Sequence, residues 1–104
     1  MKVQINTDNN ITGRESLAER AEATITGALG HLANHVTRVE VHLSDENGAK
    51  TGGRDKRCMM EARLEGLQPI AVTDEADDLD DAIGGAADKL KNSLDTIVGR
   101  ITDR

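Results

Sequence analysis

The chain contains no phenylalanine, tyrosine or tryptophan in 104 residues. Its core must therefore be aliphatic. RNA-binding modules that stack single-stranded bases rely on aromatic platforms, and that absence argues against this mode of recognition. The single cysteine, Cys58, cannot form an internal disulfide, which suits a reducing cytoplasm. The N-terminal "MKVQINTDNN" has no apolar signal-like region, and no apolar run approaches the ~18 residues of a membrane span. The expectation is a soluble, cytoplasmic protein with no membrane partner. Repeats, low-complexity tracts and interdomain linkers are also lacking, so residues 1–104 read as one domain. A domain of this length buries enough surface to need no metal or disulfide.

What the chain does have is charge. It holds 13 Lys and Arg against 19 Asp and Glu, a formal net charge of -6. An acidic balance argues against unselective nucleic-acid binding, so any such role must come from local distribution. One stretch stands out. "AKTGGRDKR", from Ala49 to Arg57, carries Lys50, Arg54, Lys56 and Arg57 against Asp55 alone.

Hydrophobic periodicity places the elements. "KVQINT" alternates, with Val3 and Ile5 on one face, and predicts a half-buried strand. Thr12 and Glu15 have capping-box spacing and predict a helix start. Leu17, Ala21, Ile25, Ala28 and Leu32 form its apolar stripe, and the helix is expected to end near Asn34. "TRVEVHLS" returns to period two, with Val39, Val41 and Leu43 inward. A loop from about Asp45 to Asp55 then leads to "KRCMMEARLEG", where Cys58, Met60, Ala62 and Leu64 alternate against Arg57, Met59, Glu61 and Arg63. Gly66 permits a tight turn, and "QPIAVT" gives a last strand with Pro69 near its start or at a sheet edge. The final helix carries Leu79, Ile83, Ala86, Leu90, Leu94, Ile97 and Ile101 on one face, with Asp77, Asp78, Asp80 and Asp81 at its start, where the macrodipole favours anions.

The order β-α-β-β-β-α predicts an α+β, two-layer sandwich: a four-stranded mixed sheet with both helices on one face. The first helix is a crossover, so the first two strands should be parallel and the connection right-handed. The other sheet face is left open to solvent.

This pattern, with "VQINTDNNI", "RVEVHLSDENG", "CMMEARLEG" and above all "TDEADDLDDAIGGAADKL", resembles the ribosome hibernation-promoting factor and ribosome-associated inhibitor A family, also labelled sigma factor modulation proteins. The resemblance covers nearly the whole chain. It implies a fold similar to a double-stranded-RNA-binding domain with an extra N-terminal strand. It also implies a translation inhibitor, or hibernation factor, on the small ribosomal subunit. Such a factor occludes the messenger and transfer RNA sites under stress or in stationary phase. Departures from the family are a thin basic cluster at the end of the last helix and a longer basic loop. The short form, with no C-terminal dimerising domain, is the expected type.

Two readings of the basic loop follow. Lys50, Arg54, Lys56 and Arg57 can track a phosphate backbone from a Gly-permissive loop, giving salt-dependent affinity without sequence readout. Alternatively they are solvated charges on a turn. "GAKT" shares part of a phosphate-binding P-loop but lacks its full spacing and its helix, so nucleotide binding is not expected. On the open face Arg38 and Arg63 join Lys2, His42 and Arg57, but Glu40 and Glu61 suggest cross-strand pairs. On the last helix Asp81, Asp88 and Asp95 form an acidic ridge with Asp74 just before it. Lys89 and Arg100 lie on one flank of the apolar stripe and Lys91 on the other.

His31 and His35 have the i, i+4 spacing of two zinc ligands, yet the helix dipole explains them without metal. Cys58 reads as a small core residue with no base beside it. No catalytic arrangement, cofactor or small-molecule substrate is expected. The competing reading is a regulatory protein-interaction module on the same fold with little or no RNA binding.

Overall fold

The computed structural model describes residues 1–8, 11, 13–45 and 55–102. Lys50 and Arg54 of the basic loop lie outside them, as does Thr12. The elements run β1 (Lys2–Thr7), α1 (Arg14–Leu29), a 3-10 segment (Gly30–His35), β2 (Val36–Asp45), β3 (Lys56–Leu64), β4 (Ile70–Ala76) and α2 (Leu79–Thr102). The four strands form one sheet in the order β1-β2-β3-β4. β1 runs parallel to β2, with Val3 beside Val39, and the other two pairs are antiparallel. A parallel pair needs a crossover, which α1 and the 3-10 segment supply.

Alternation on the central strands builds the core. Val39, Val41 and Leu43 of β2 and Cys58, Met60, Ala62 and Leu64 of β3 are all buried. The helices cover them with Leu17, Ala21, Ile25 and Leu29 of α1 and Ile83, Leu90 and Leu94 of α2. Each fully buried Val, Leu, Ile or Met side chain among them contributes about 1.5–3 kcal/mol. β4 is an edge strand, and Pro69 immediately precedes it, where the missing N–H costs no ladder bond. Gly66 turns the chain between β3 and β4 at a φ of 77°, open to glycine without strain.

The helix termini depart from expectation. The capping box expected at the start of α1 falls on Thr12, outside the described residues. The N-cap of the helix is Gly13 at φ 68°, without a side-chain cap, and the first helical bond runs from the Leu17 N–H to the Gly13 carbonyl. A left-handed glycine turns the chain into the helix directly. At the other end α1 stops at Leu29, and the helical path continues as 3-10 to His35. Leu29 rather than Ala28 is the buried member of the stripe, because the helix holds four-residue steps until Gly30 tightens it.

In α2 the buried face includes Ala82, Ala87 and Val98, while Leu79 and Ile97 are only partly buried and Ile101 is 47% exposed. At 1.5 Å per residue the 24-residue helix is about 36 Å long. Asp78 caps the start of α2, accepting the Asp81 N–H on Oδ1 at 2.7 Å. Asp74 is not on the helical ridge. It belongs to β4, faces α2 and pairs with Lys89 at 3.0 Å.

Candidate nucleic-acid interface

Strand alternation decides which side chains reach the open face, and register decides their neighbours. β2 sends out Arg38, Glu40, His42 and Ser44, and β3 sends out Arg57, Met59, Glu61 and Arg63. Across the strands Lys2, Arg38 and Arg63 align in one row. Gln4, Glu40 and Glu61 form the next, then Asn6, His42, Met59 and Thr73, and lastly Ser44, Arg57 and Glu75.

Most candidate cations have internal partners. Arg63 bridges Glu40 at 3.6 Å and Glu61 at 3.3 Å. Arg38 lies 3.7 Å from Glu40 and donates to the Gln4 side-chain carbonyl. On α2, Lys89 donates to the Thr73 carbonyl at 2.8 Å as well as pairing with Asp74, and Lys91 pairs with Asp95 at 3.3 Å. A pair exposed on both sides, as Lys91–Asp95 is, contributes about 0–1 kcal/mol, so exchanging that carboxylate for a phosphate is cheap.

Lys56 is held differently. It has the helix-side parity of Cys58 and Met60, and its ammonium lies 3.3 Å from Asp45 and 2.8 Å from Asp55, both buried. The three residues tie together the end of β2 and the start of β3. The hydrogen bond from Lys56 holds the Asp55 carboxyl below its ordinary value against the opposing effect of burial. The same bond raises Lys56. Asp8 extends the cluster by accepting the Asp45 N–H at 3.0 Å.

Arg57 and Arg100 are different again. Both are exposed, and neither makes an ion pair or hydrogen bond among the described residues. Arg57 also borders a surface depression of ≈ 270 Å³, lined with His42, Ser44 and Met59 as well as the Leu43 backbone region. Sequence reasoning put His42 on this face but did not single out the depression. Its signal was the outward parity of both strands, and only the register brings His42 opposite Met59 and Ser44 opposite Arg57.

Elsewhere the side chains are structural. Burial, with Asp74 adding to it, pushes the Cys58 thiol up to about 12, so it is a core group and not a nucleophile. His31 and His35 are exposed in the 3-10 segment. Among the described residues no three His, Cys, Asp or Glu side chains gather as metal ligands would, and no helix is long and apolar enough to cross a membrane.

A family described as sigma 54 modulation protein / S30EA ribosomal protein matches residues 3–102. A search of curated protein sequences returned no significant match. Among solved structures, the chain is similar to a ribosomal subunit interface protein from Coxiella burnetii, with a TM-score of 0.76 at 15% identity, covering 95% of this chain and 99% of that one. It is also similar to the N-terminal domain of Protein Y from Thermus thermophilus, with a TM-score of 0.71 at 20% identity, covering 93% of this chain and 99% of that one. At such identities the likeness is one of fold.

Proposed function

The chain belongs to the sigma 54 modulation protein / S30EA ribosomal protein family, and from that premise we propose that it is a cytoplasmic, ribosome-associated translation inhibitor. It binds the small subunit and occludes the messenger and transfer RNA sites under stress. The family match over nearly the whole chain is the observation that carries this reading. The mechanism is steric and needs no chemistry or cofactor.

The geometry supports a graded set of RNA contacts. Arg57 and Arg100 offer charge that no partner among the described residues takes up. Arg38, Arg63, Lys89 and Lys91 contribute by trading their carboxylate partners for phosphate, most readily at the exposed Lys91–Asp95 pair. Lys50 and Arg54 belong to the same proposed set. Lys56 serves it chiefly by fixing the strand ends from which the loop springs.

A second reading, a protein-interaction module, is favoured by one observation: Asp81, Asp88 and Asp95 are exposed along α2. Co-sedimentation with purified small subunits at low and moderate salt separates the two. RNA docking predicts pelleting at low salt and loss of association when Lys50, Arg54, Lys56 and Arg57 are neutralised together. Protein left in the supernatant at low salt refutes the ribosomal reading, and pelleting insensitive to the neutralisation favours the acidic ridge.

A further inference from the structure

The open sheet face is unusual in where its charges are absent. The row Asn6, His42, Met59 and Thr73 carries no Lys, Arg, Asp or Glu, although the flanking rows hold Glu40, Glu61, Arg57 and Glu75. Within it His42 and Met59 are directly opposite, and the next outward pair is Ser44 and Arg57. Directly opposed side chains stand about 5 Å apart and diagonal ones about 7–8 Å. These four side chains thus mark out a patch about the size of one nucleobase, and they line the ≈ 270 Å³ depression.

The chemistry of the four corners differs. Met59 is half-buried and supplies a polarisable apolar side chain to the lining. His42 is exposed and supplies a planar ring, which serves as a stacking surface for an unpaired base as other aromatic side chains do. Arg57 supplies an exposed guanidinium, unpaired among the described residues and suited to a phosphate, and Ser44 a hydroxyl donor beside it. Glu75 is the register neighbour of Arg57 on β4. The absence of phenylalanine, tyrosine and tryptophan therefore removes the usual platform without removing every platform.

We propose that the depression between His42, Ser44, Arg57 and Met59 seats one unstacked nucleotide of ribosomal RNA, with its base on Met59 and His42 and its phosphate on Arg57. This rests on the ribosome-binding reading and deepens it. The sheet face then contributes a contact to an unpaired base, in addition to phosphate contacts indifferent to whether the base is paired.

Two measurements test it. In the first, the wild-type protein is titrated with adenosine monophosphate or ribose 5-phosphate, with the Met59 methyl, the His42 ring and the Arg57 side chain followed by NMR. The mononucleotide is expected to bind with a Kd on the order of 1–10 mM, shifting all three signals, with the Met59 methyl moved upfield by the base. Ribose 5-phosphate is expected to move Arg57 alone. The same Met59 response to both probes, or no response to the mononucleotide, overturns the subsite. So does an acidic peptide that moves all three signals as strongly.

In the second, small-subunit affinity is compared for the wild type, H42A and M59A. Each variant is expected to bind about fivefold to tenfold more weakly, the lower range for one stacked base. Equal affinities overturn the subsite and leave the ribosomal reading intact. A wild-type protein that does not bind subunits but gives the mononucleotide shifts overturns only the ribosomal reading.

Discussion

Gly84 and Gly85 are adjacent in α2, yet their surroundings make them opposite cases. A Cβ on Gly84 would meet nothing within 4 Å, whereas one on Gly85 would overlap the carboxylate of Asp74. Gly85 is therefore the place where β4 and α2 approach closely, and Asp74 reaches across it to Lys89. Replacing glycine by alanine inside a helix ordinarily stabilises by about 0.5–1 kcal/mol. G84A is expected to gain that amount in urea unfolding. G85A is expected to forfeit the gain, because Asp74 must swing away and release Lys89. Adding D74A to G85A removes the obstruction, so the double variant should recover relative to D74A alone. If G85A stabilises as much as G84A, the close approach has no energetic weight. The same carboxylate contributes to the raised Cys58 pKa, so Asp74 links a core thiol, a helix glycine and a surface lysine.

At the scale of elements, the junction of β2 and β3 is where ionic contacts matter most. Asp45 and Asp55 are buried on either side of Lys56. Asp55 is held below its ordinary 3.8 and Lys56 above its ordinary 10.5. The lowered carboxyl gives stability that is present above pH 3.8 and lost as pH falls through its folded value. The raised amine gives stability that is present below pH 10.5 and lost as pH rises through its folded value. K56M should therefore lower Tm at pH 7, with the gap to the parent narrowing below pH 3.8 and again above pH 10.5. A gap independent of pH would mean that packing of the lysine stem, and not its charge, holds the junction. The strands themselves were legible, because Val39, Val41 and Leu43 alternate with Arg38, Glu40 and His42 without exception. The start of α1 was not, since a left-handed Gly13 replaces a side-chain cap and leaves no polar signature. For the site, outward parity identified Arg38, Arg57 and Arg63. Which of them keeps a free charge depends on the register that sets Glu40 beside Glu61, and a hairpin's register cannot be counted through a long loop.

For the whole molecule, the question is how a protein of net charge -6 holds on to RNA. Long-range repulsion is strongest at low salt and is screened beyond about 8–10 Å near physiological ionic strength. Phosphate contacts behave in the opposite way, since each releases counterions and weakens as salt rises. With few unpaired cations among the described residues, the salt dependence of small-subunit association should be shallow. Two to four phosphate contacts correspond to a log–log slope of about -1.5 to -3.5. Individual variants then report which cations are engaged. R57Q should reduce the magnitude of the slope by about one contact, roughly 0.7–0.9. K91Q should reduce it by less, because Lys91 must first give up its i, i+4 pair with Asp95. D95N frees Lys91 and removes one negative charge, so it should strengthen binding at low salt. If K91Q lowers the slope as much as R57Q does, internal pairing does not govern which cations reach RNA, and the grading of contacts by ion pair is wrong. If only R57Q acts, the open sheet face beside the basic loop is the surface that meets the ribosome, and the acidic back of α2 faces away from it.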